Sequence, residues 1–466
     1  MSSRDLAETL DFVRTHELNI HSLSIVRNGI LVLDAYFYPF RRGLRHDLAS
    51  VTKSVVSLLV GIATDEGLFA ELGQPIAMLL PHEMPAKPDS REEQVRLEDL
   101  LAMQSGLRCG FEPGERELHE MMRQRDWAKY ALSLPMAAGP GQRFAYCSPN
   151  FHILSTALSK AARESTLQFA QAHLFGPLGI RDAYWPADPR GINHGWGDLQ
   201  LYPEDMAKLG LLMLRGGEWN SRRILPGWWV DSAWTVHAKM SADSSYDYGL
   251  GWWLAHTGRA LFEAEAVGRG GQRISIVPGK HVVVVMTGGG FDPGELGGYL
   301  LKAVASDTAL PDDRAGQAKL AEALRLIAAP PSPHRVAHSP RAQDVSGRTY
   351  RMKTNPLTLR SFRITFPDST VAVLYLRLAD GTEFNQPLGL DGQYRTTRDE
   401  HGAFSAGRGT WLRDGHFRAE LNLLTRIDRF TFDVAFEGNR IRITASEPTE
   451  LGTITLRGHT LPAPHQ

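Results

Sequence analysis

Between Ala328 and His334 the chain reads AAPPSPH, and no other stretch limits its folding so strongly. Proline at that density cannot propagate a helix and favours an extended, semi-rigid spacer. The sequence changes character across it. Upstream, helical periodicity dominates from about residue 95 to 235, with strand-like segments on either side. Downstream, short alternating strands take over: Phe362–Phe366, Thr370–Leu378, Trp411–Leu412, Phe417–Leu424, Phe430–Phe436 and Arg440–Thr444. Turn signals at Asp380-Gly381, Asp414-Gly415 and Gly438-Asn439 punctuate them. Three units are expected: a mixed unit over 1–327, a proline-rich linker over 328–345 and an all-β unit over 346–466, either a small barrel or a sandwich. At 466 residues and 42% hydrophobic content, the chain is long enough to bury a large core.

Within the first unit, alternation around Asn28-Gly29 predicts a hairpin over residues 20–40. Tyr248–Leu254, Arg273–Val277 and His281–Thr287 read as strands, the last two joined by a Pro278-Gly279 turn, and a final helix runs to about Ile327. From Lys53 onward the period is helical, and Val55, Val56, Leu58, Leu59, Val60, Ile62 and Ala63 are apolar nearly all round. Such a helix is expected inside the core rather than on its surface.

Fifty-one basic residues against 52 acidic ones leave a net charge of -1, so no global field draws the chain to nucleic acid or to an anionic membrane. No apolar run reaches the roughly 20 residues needed to cross a bilayer. The opening MSSRDLAETLDFVRTHEL carries charge in every turn and does not read as an export signal, so a cytoplasmic location is expected. Seventeen histidines show no HExxH pattern, and Cys109 and Cys147 have neither metal-ligand spacing nor the number expected of a disulfide framework. Neither a metal nor an organic cofactor is expected.

Ser50 and Lys53 stand at the mouth of the buried helix and are the chain's one Ser-x-x-Lys spacing. Residues i and i+3 share a helix face. A serine near a helix start lies among free backbone N–H groups, where developing negative charge is favoured. Its hydroxyl becomes a nucleophile when a base removes the proton, and a lysine can serve once burial favours the neutral amine. The plain alternative is that Ser50 caps the helix. Further along, Tyr146 precedes Cys147-Ser148-Pro149-Asn150, where proline suits a first helical turn and leaves Tyr146 on a loop able to reach a cleft. A third segment, Ala266 to Gln272, is glycine-rich and leads into a strand, which allows a ligand close to backbone N–H groups.

In this order, Ser50-x-x-Lys53, Tyr146-x-Ser148 and the glycine-rich strand entry resemble the serine β-lactamase-like hydrolases. Within them the chain is similar to the branch of class C β-lactamases, family VIII-type esterases, D-amino-acid peptidases and 6-aminohexanoate-dimer hydrolases. Supporting stretches are Leu97–Leu107, Asp205–Leu214 and the YGLGWW run, and the likeness spans roughly residues 15 to 310. The resemblance implies an α+β fold: an antiparallel sheet flanked by helices, with a helical subdomain and the active site between them. It implies Ser50 as nucleophile, Lys53 and Tyr146 sharing base and acid roles, and the backbone N–H groups of Ser50 and Arg269 as oxyanion hole. Gly268, Gln272, Ser148 and Asn150 are the other expected substrate-binding residues.

Two departures from the family pattern stand out. The second box has Ser148 where Asn is common, with Asn150 two residues later, and the third box Ala266-Val267-Gly268 lacks the usual cation, for which Arg269 or Arg273 could stand in. Esters or small amides are therefore the expected substrates, ahead of D-amino-acid peptides and β-lactams. A non-catalytic sensor on the same scaffold is the rival reading. The partner expected is a small-molecule ester, amide or lactam, and a homodimer is compatible with the sequence.

Overall fold

The computed structural model describes residues 1–110, 114–240, 244–334, 340–400 and 402–460. Its first part is organised by a seven-stranded antiparallel sheet. The strand order is Ile30–Tyr36, Ile20–Arg27, Val282–Gly288, Gln272–Val277, Ala260–Gly268, Trp253–Thr257 and Asp247–Tyr248. The N-terminal hairpin thus pairs with a strand from far along the chain, with Ile25 opposite Val284. Val282–Gly288 is buried along its whole length, as a β-branched run covered on both faces must be.

Side-chain alternation splits that strand between two cores. Val282, Val284 and Met286 meet Leu6, Leu10, Leu300 and Ile327 from the helices Ser3–Thr15, Gly294–Ala303 and Arg314–Ala328. Val283 and Val285 point the other way, into the larger core with Val55, Leu59 and Met206. The helix Val51–Asp65 runs through this second core, and every residue from Val51 to Ala63 is buried. At about 1.5–3 kcal/mol for each large aliphatic side chain buried, it is a principal source of stability for the layer that presents Ser50. Helix Ser148–Ala162 packs against it and begins with Pro149 in its first turn.

Arg314–Ala328 ends as the proline-rich stretch begins, and a six-residue helix, Pro340–Val345, precedes the first downstream strand, Thr349–Met352. The downstream strands close into a barrel rather than a sandwich. Around the ring run Glu383–Gly389, Val371–Leu378, Leu359–Thr365, Thr349–Met352, Gly452–Thr460, Arg440–Glu447, Arg429–Glu437, Phe417–Leu423 and Phe404–Trp411. Parallel pairing of Leu388 and Gly389 with Gly407 and Arg408 completes the ring, and Arg395–Arg398 adds a tenth strand outside it. Closure removes the unpaired edges an open sheet would carry. Phe362, Leu374, Phe417, Val434 and Ile443 fill its interior. Four of its strands, Thr349–Met352, Glu383–Gly389, Arg395–Arg398 and Gly452–Thr460, were not expected from the sequence.

The barrel is docked on the first part beside the start of the Ser50 helix. Phe40 and Leu44 pack with Ala406 and Leu424, the Tyr394 N–H donates to the Tyr38 hydroxyl at 2.8 Å, and the Asp47 N–H donates to the Thr425 carbonyl at 3.1 Å. No helix among the described residues is long and apolar enough to cross a membrane.

Candidate active site

The residues before Ser50 form a tight, braced turn. The Leu48 N–H donates to the Leu199 carbonyl, and the Ala49 N–H donates to Asp47 Oδ1 at 2.8 Å. That bond holds Ala49 at a φ of 45°, a left-handed conformation in which an alanine persists only when its surroundings enforce it. Ser50 follows at the N-terminus of the helix, yet its side chain caps nothing. Its Oγ instead lies 2.6 Å from Lys53 Nζ. Lys53 is 1% exposed, and its second bond runs to the Trp196 carbonyl at 2.9 Å.

Tyr146 reaches the same place from another element. The Ala145 N–H donates to the Met103 carbonyl at 2.8 Å, fixing the loop, and the phenol ring centre lies 4.9 Å from Lys53 Nζ. Trp253 stacks with the same ring at 5.8 Å between ring centres. Cys147 is disulfide-bonded to Cys109, tying this loop to the wall at Leu107–Cys109. Two cysteines, too few to read as a disulfide framework, thus form a single bridge: thirty-eight residues separate them in sequence, and the fold brings their Cα atoms to 5.3 Å.

Ser148 and Asn150 lie behind the cavity wall, both buried. The Ser148 hydroxyl donates to Glu115, which does line the cavity, while Asn150 Nδ2 approaches Met103 Sδ at 3.9 Å. Gln272 is equally enclosed: its side chain donates to the carbonyls of Arg269 and Gly288 and accepts the Gly288 N–H, so it braces the third box instead of facing a ligand. Gly268 and Arg269 do border the cavity. A Cβ on Gly268 would stand 2.5 Å from the Leu48 carbonyl oxygen, so only glycine lets this strand end meet the Ser50 turn. Arg269 turns its guanidinium to the barrel, pairing with Asp428 at 3.3 Å and Glu450 at 2.9 Å and bonding Thr449. Arg273 pairs with Glu265 at 2.6 Å. Both arginines that could have replaced the third-box cation are thus engaged elsewhere.

Ser50, Tyr146, Trp253, Gly268 and Arg269 border a cavity of about 1440 Å³, large enough for a substrate of several residues or a long acyl chain. Its wall includes residues the sequence did not single out: Asp47, Trp196, Asp198 and, from the barrel, Arg426, Asp428 and Glu450. Burial, aided by the charge of Asp198, pushes the Asp47 carboxyl up to about 7. Asp198 in turn holds His194 at 2.7 Å, and His194 stacks on Trp196 at 5.5 Å. Among the described residues, no group of three His, Cys, Asp or Glu side chains is placed to hold a metal.

Comparison with known proteins agrees with this layout. Residues 16–309 match the family described as Beta-lactamase, which takes in the sheet, the Ser50 helix and the helical layer. The chain belongs to the beta-lactamase family. A relative, 6-aminohexanoate-dimer hydrolase of Paenarthrobacter ureafaciens, is 24% identical over 298 residues, covering 60% of this chain and 75% of its own. Among solved structures, the hydrolase EstCE1, described as having promiscuous acyltransferase activity, superimposes with a TM-score of 0.55 at 16% identity, over 65% of this chain and 98% of its own. The octameric penicillin-binding protein homologue of Pyrococcus abyssi has a TM-score of 0.51, also at 16% identity, and covers 97% of this chain and 99% of its own. The last of these aligns over the barrel as well as the family domain. The beta-lactamase-family assignment makes this a serine hydrolase.

Proposed function

We propose that this beta-lactamase-family hydrolase cleaves esters or small amides through an acyl-enzyme on Ser50. The observation that carries the reading is the 2.6 Å approach of buried Lys53 Nζ to Ser50 Oγ at the edge of a large cavity. In this reading Lys53 takes the hydroxyl proton as Oγ bonds to the substrate carbonyl carbon. The backbone N–H groups of Ser50 and Arg269 hold the oxyanion, and each such donor typically supplies about 3 kcal/mol of transition-state stabilisation. Collapse of the tetrahedral intermediate breaks the bond to the leaving alcohol or amine, which receives a proton through Tyr146. Water then attacks the acyl carbon along the reverse proton route and frees Ser50. EstCE1 and the 6-aminohexanoate-dimer hydrolase, one named for acyl transfer and the other for hydrolysis of a dimer, support this class of chemistry. So does the third box, where Arg269 beside Gly268 is held by Asp428 and Glu450 rather than turned to a β-lactam carboxylate.

The test is labelling with a fluorophosphonate probe together with turnover of 4-nitrophenyl esters. Ser50→Ala is expected to abolish both. Stoichiometric labelling of the variant would remove Ser50 as nucleophile, and wild-type labelling without repeated turnover of esters, amides or lactams would favour a sensor.

A further inference from the structure

The barrel loop Thr425–Asp428 is built into the cleft rather than resting beside it. Thr425 is buried and accepts the Asp47 N–H, Ile427 is buried against Gly270, and Asp428 receives Arg269. A Cβ on Gly270 would come within 2.5 Å of Ile427 Cγ2, so the loop and the third box are in direct contact. Between these anchored residues Arg426 is exposed and borders the same cavity as Ser50. It forms no ion pair with any described residue, whereas Arg269 and Arg273 are both held by carboxylates. Arg426 acts electrostatically on Asp47, whose carboxyl is pushed up to about 7, so at neutral pH that neighbour offers only part of a compensating charge.

We propose that Arg426 reads an anionic group on the substrate, so that the preferred esters or amides carry a carboxylate that pairs with its guanidinium. The planar fork of an arginine suits two parallel bonds to a carboxylate. The cation absent from the third box is then delivered from a different unit of the chain, on a loop whose flanking residues are fixed. The proposal rests on the acyl-transfer reading of Ser50.

Two matched ester pairs test it. One places the carboxylate on the acyl side, 4-nitrophenyl hydrogen glutarate against its methyl ester. The other places it on the leaving group, 4-acetoxybenzoate against methyl 4-acetoxybenzoate. In Arg426→Ala the ratio of kcat/KM for anionic over neutral substrate is expected to fall at least tenfold in one pair, and Arg426→Lys to restore part of it. The responding pair shows which side of the scissile bond faces the barrel. Ratios within twofold of wild type in both pairs overturn the proposal.

Glutarate and 4-hydroxybenzoate binding, followed by the fluorescence of Trp196 and Trp253 in the cavity wall, gives a readout that needs no turnover. If none of the esters is hydrolysed but Arg426→Ala weakens that binding tenfold, Arg426 stands and the Ser50 reading falls. If the neutral esters are hydrolysed with unchanged ratios, the reverse holds. Loss of neither binding nor turnover in the variant overturns the role of Arg426.

Discussion

Asp47 lies three residues before Ser50, where its Oδ1 accepts the Ala49 N–H and so holds the turn that presents the serine. Its carboxyl is pushed up to about 7, first by burial and then by Asp198, from an unfolded value near 3.9. The folded chain therefore keeps a proton that the unfolded chain releases above about pH 4. The resulting stabilisation is complete below that value and is lost as pH rises through about 7. Asp47→Asn retains an oxygen for the Ala49 N–H and removes the titration. Urea unfolding at pH 5 and pH 8 should show wild type losing about 1–3 kcal/mol more than the variant between the two conditions. Equal losses would show that Asp47 does not hold its proton. Nothing in the sequence pointed to Asp47, because its role comes from Asp198 and Ala49 converging on it in space. Ser50, Lys53 and Tyr146 could be singled out because two share a helical spacing and the third precedes a proline-started helix, and the fold brings Lys53 beside both of the others.

The loop carrying Tyr146 is short of secondary structure and depends on cross-links. Met103 holds it by a backbone bond, and the Cys109–Cys147 disulfide closes a loop of 38 residues around it. By the loop-entropy estimate such a bridge is worth about 4 kcal/mol. Replacing both cysteines by serine should lower the thermal midpoint by several degrees and reduce ester kcat more than the labelling of Ser50, since Tyr146 is the group set loose. A midpoint and kcat equal to wild type would show the bridge to be dispensable. Two cysteines this far apart give no sequence signal of pairing. Barrel strands escaped notice for a different physical reason. Only the Trp411 end of Phe404–Trp411 reads as strand, because Gly407 and Gly409 break its hydrophobic alternation where Leu388 and Phe417 occupy the space side chains would need. Ring closure favours small residues where neighbouring strands crowd, and small residues do not read as strand.

At the scale of the whole molecule, the proline density of AAPPSPH suggests a boundary, but the sequence carries no trace of what the barrel touches. Its contact with the first part combines Phe40 and Leu44 against Leu424, the Asp47 to Thr425 bond, and Ile427 seated on Gly270. Ile427→Asp places a carboxylate with no partner in that seat, at a cost of several kcal/mol. The loop should leave the cleft, and kcat/KM for the proposed ester substrates should fall more than tenfold while fluorophosphonate labelling of Ser50 persists; unchanged kcat/KM would show that the loop takes no part in substrate handling. The cavity is bordered by two separate pieces of sequence, the Ser50 turn and the barrel loop Thr425–Asp428, joined by the bond between Asp47 and Thr425. Selection can therefore redraw which molecules are admitted by editing a few barrel positions, leaving Ser50 and Lys53 unaltered.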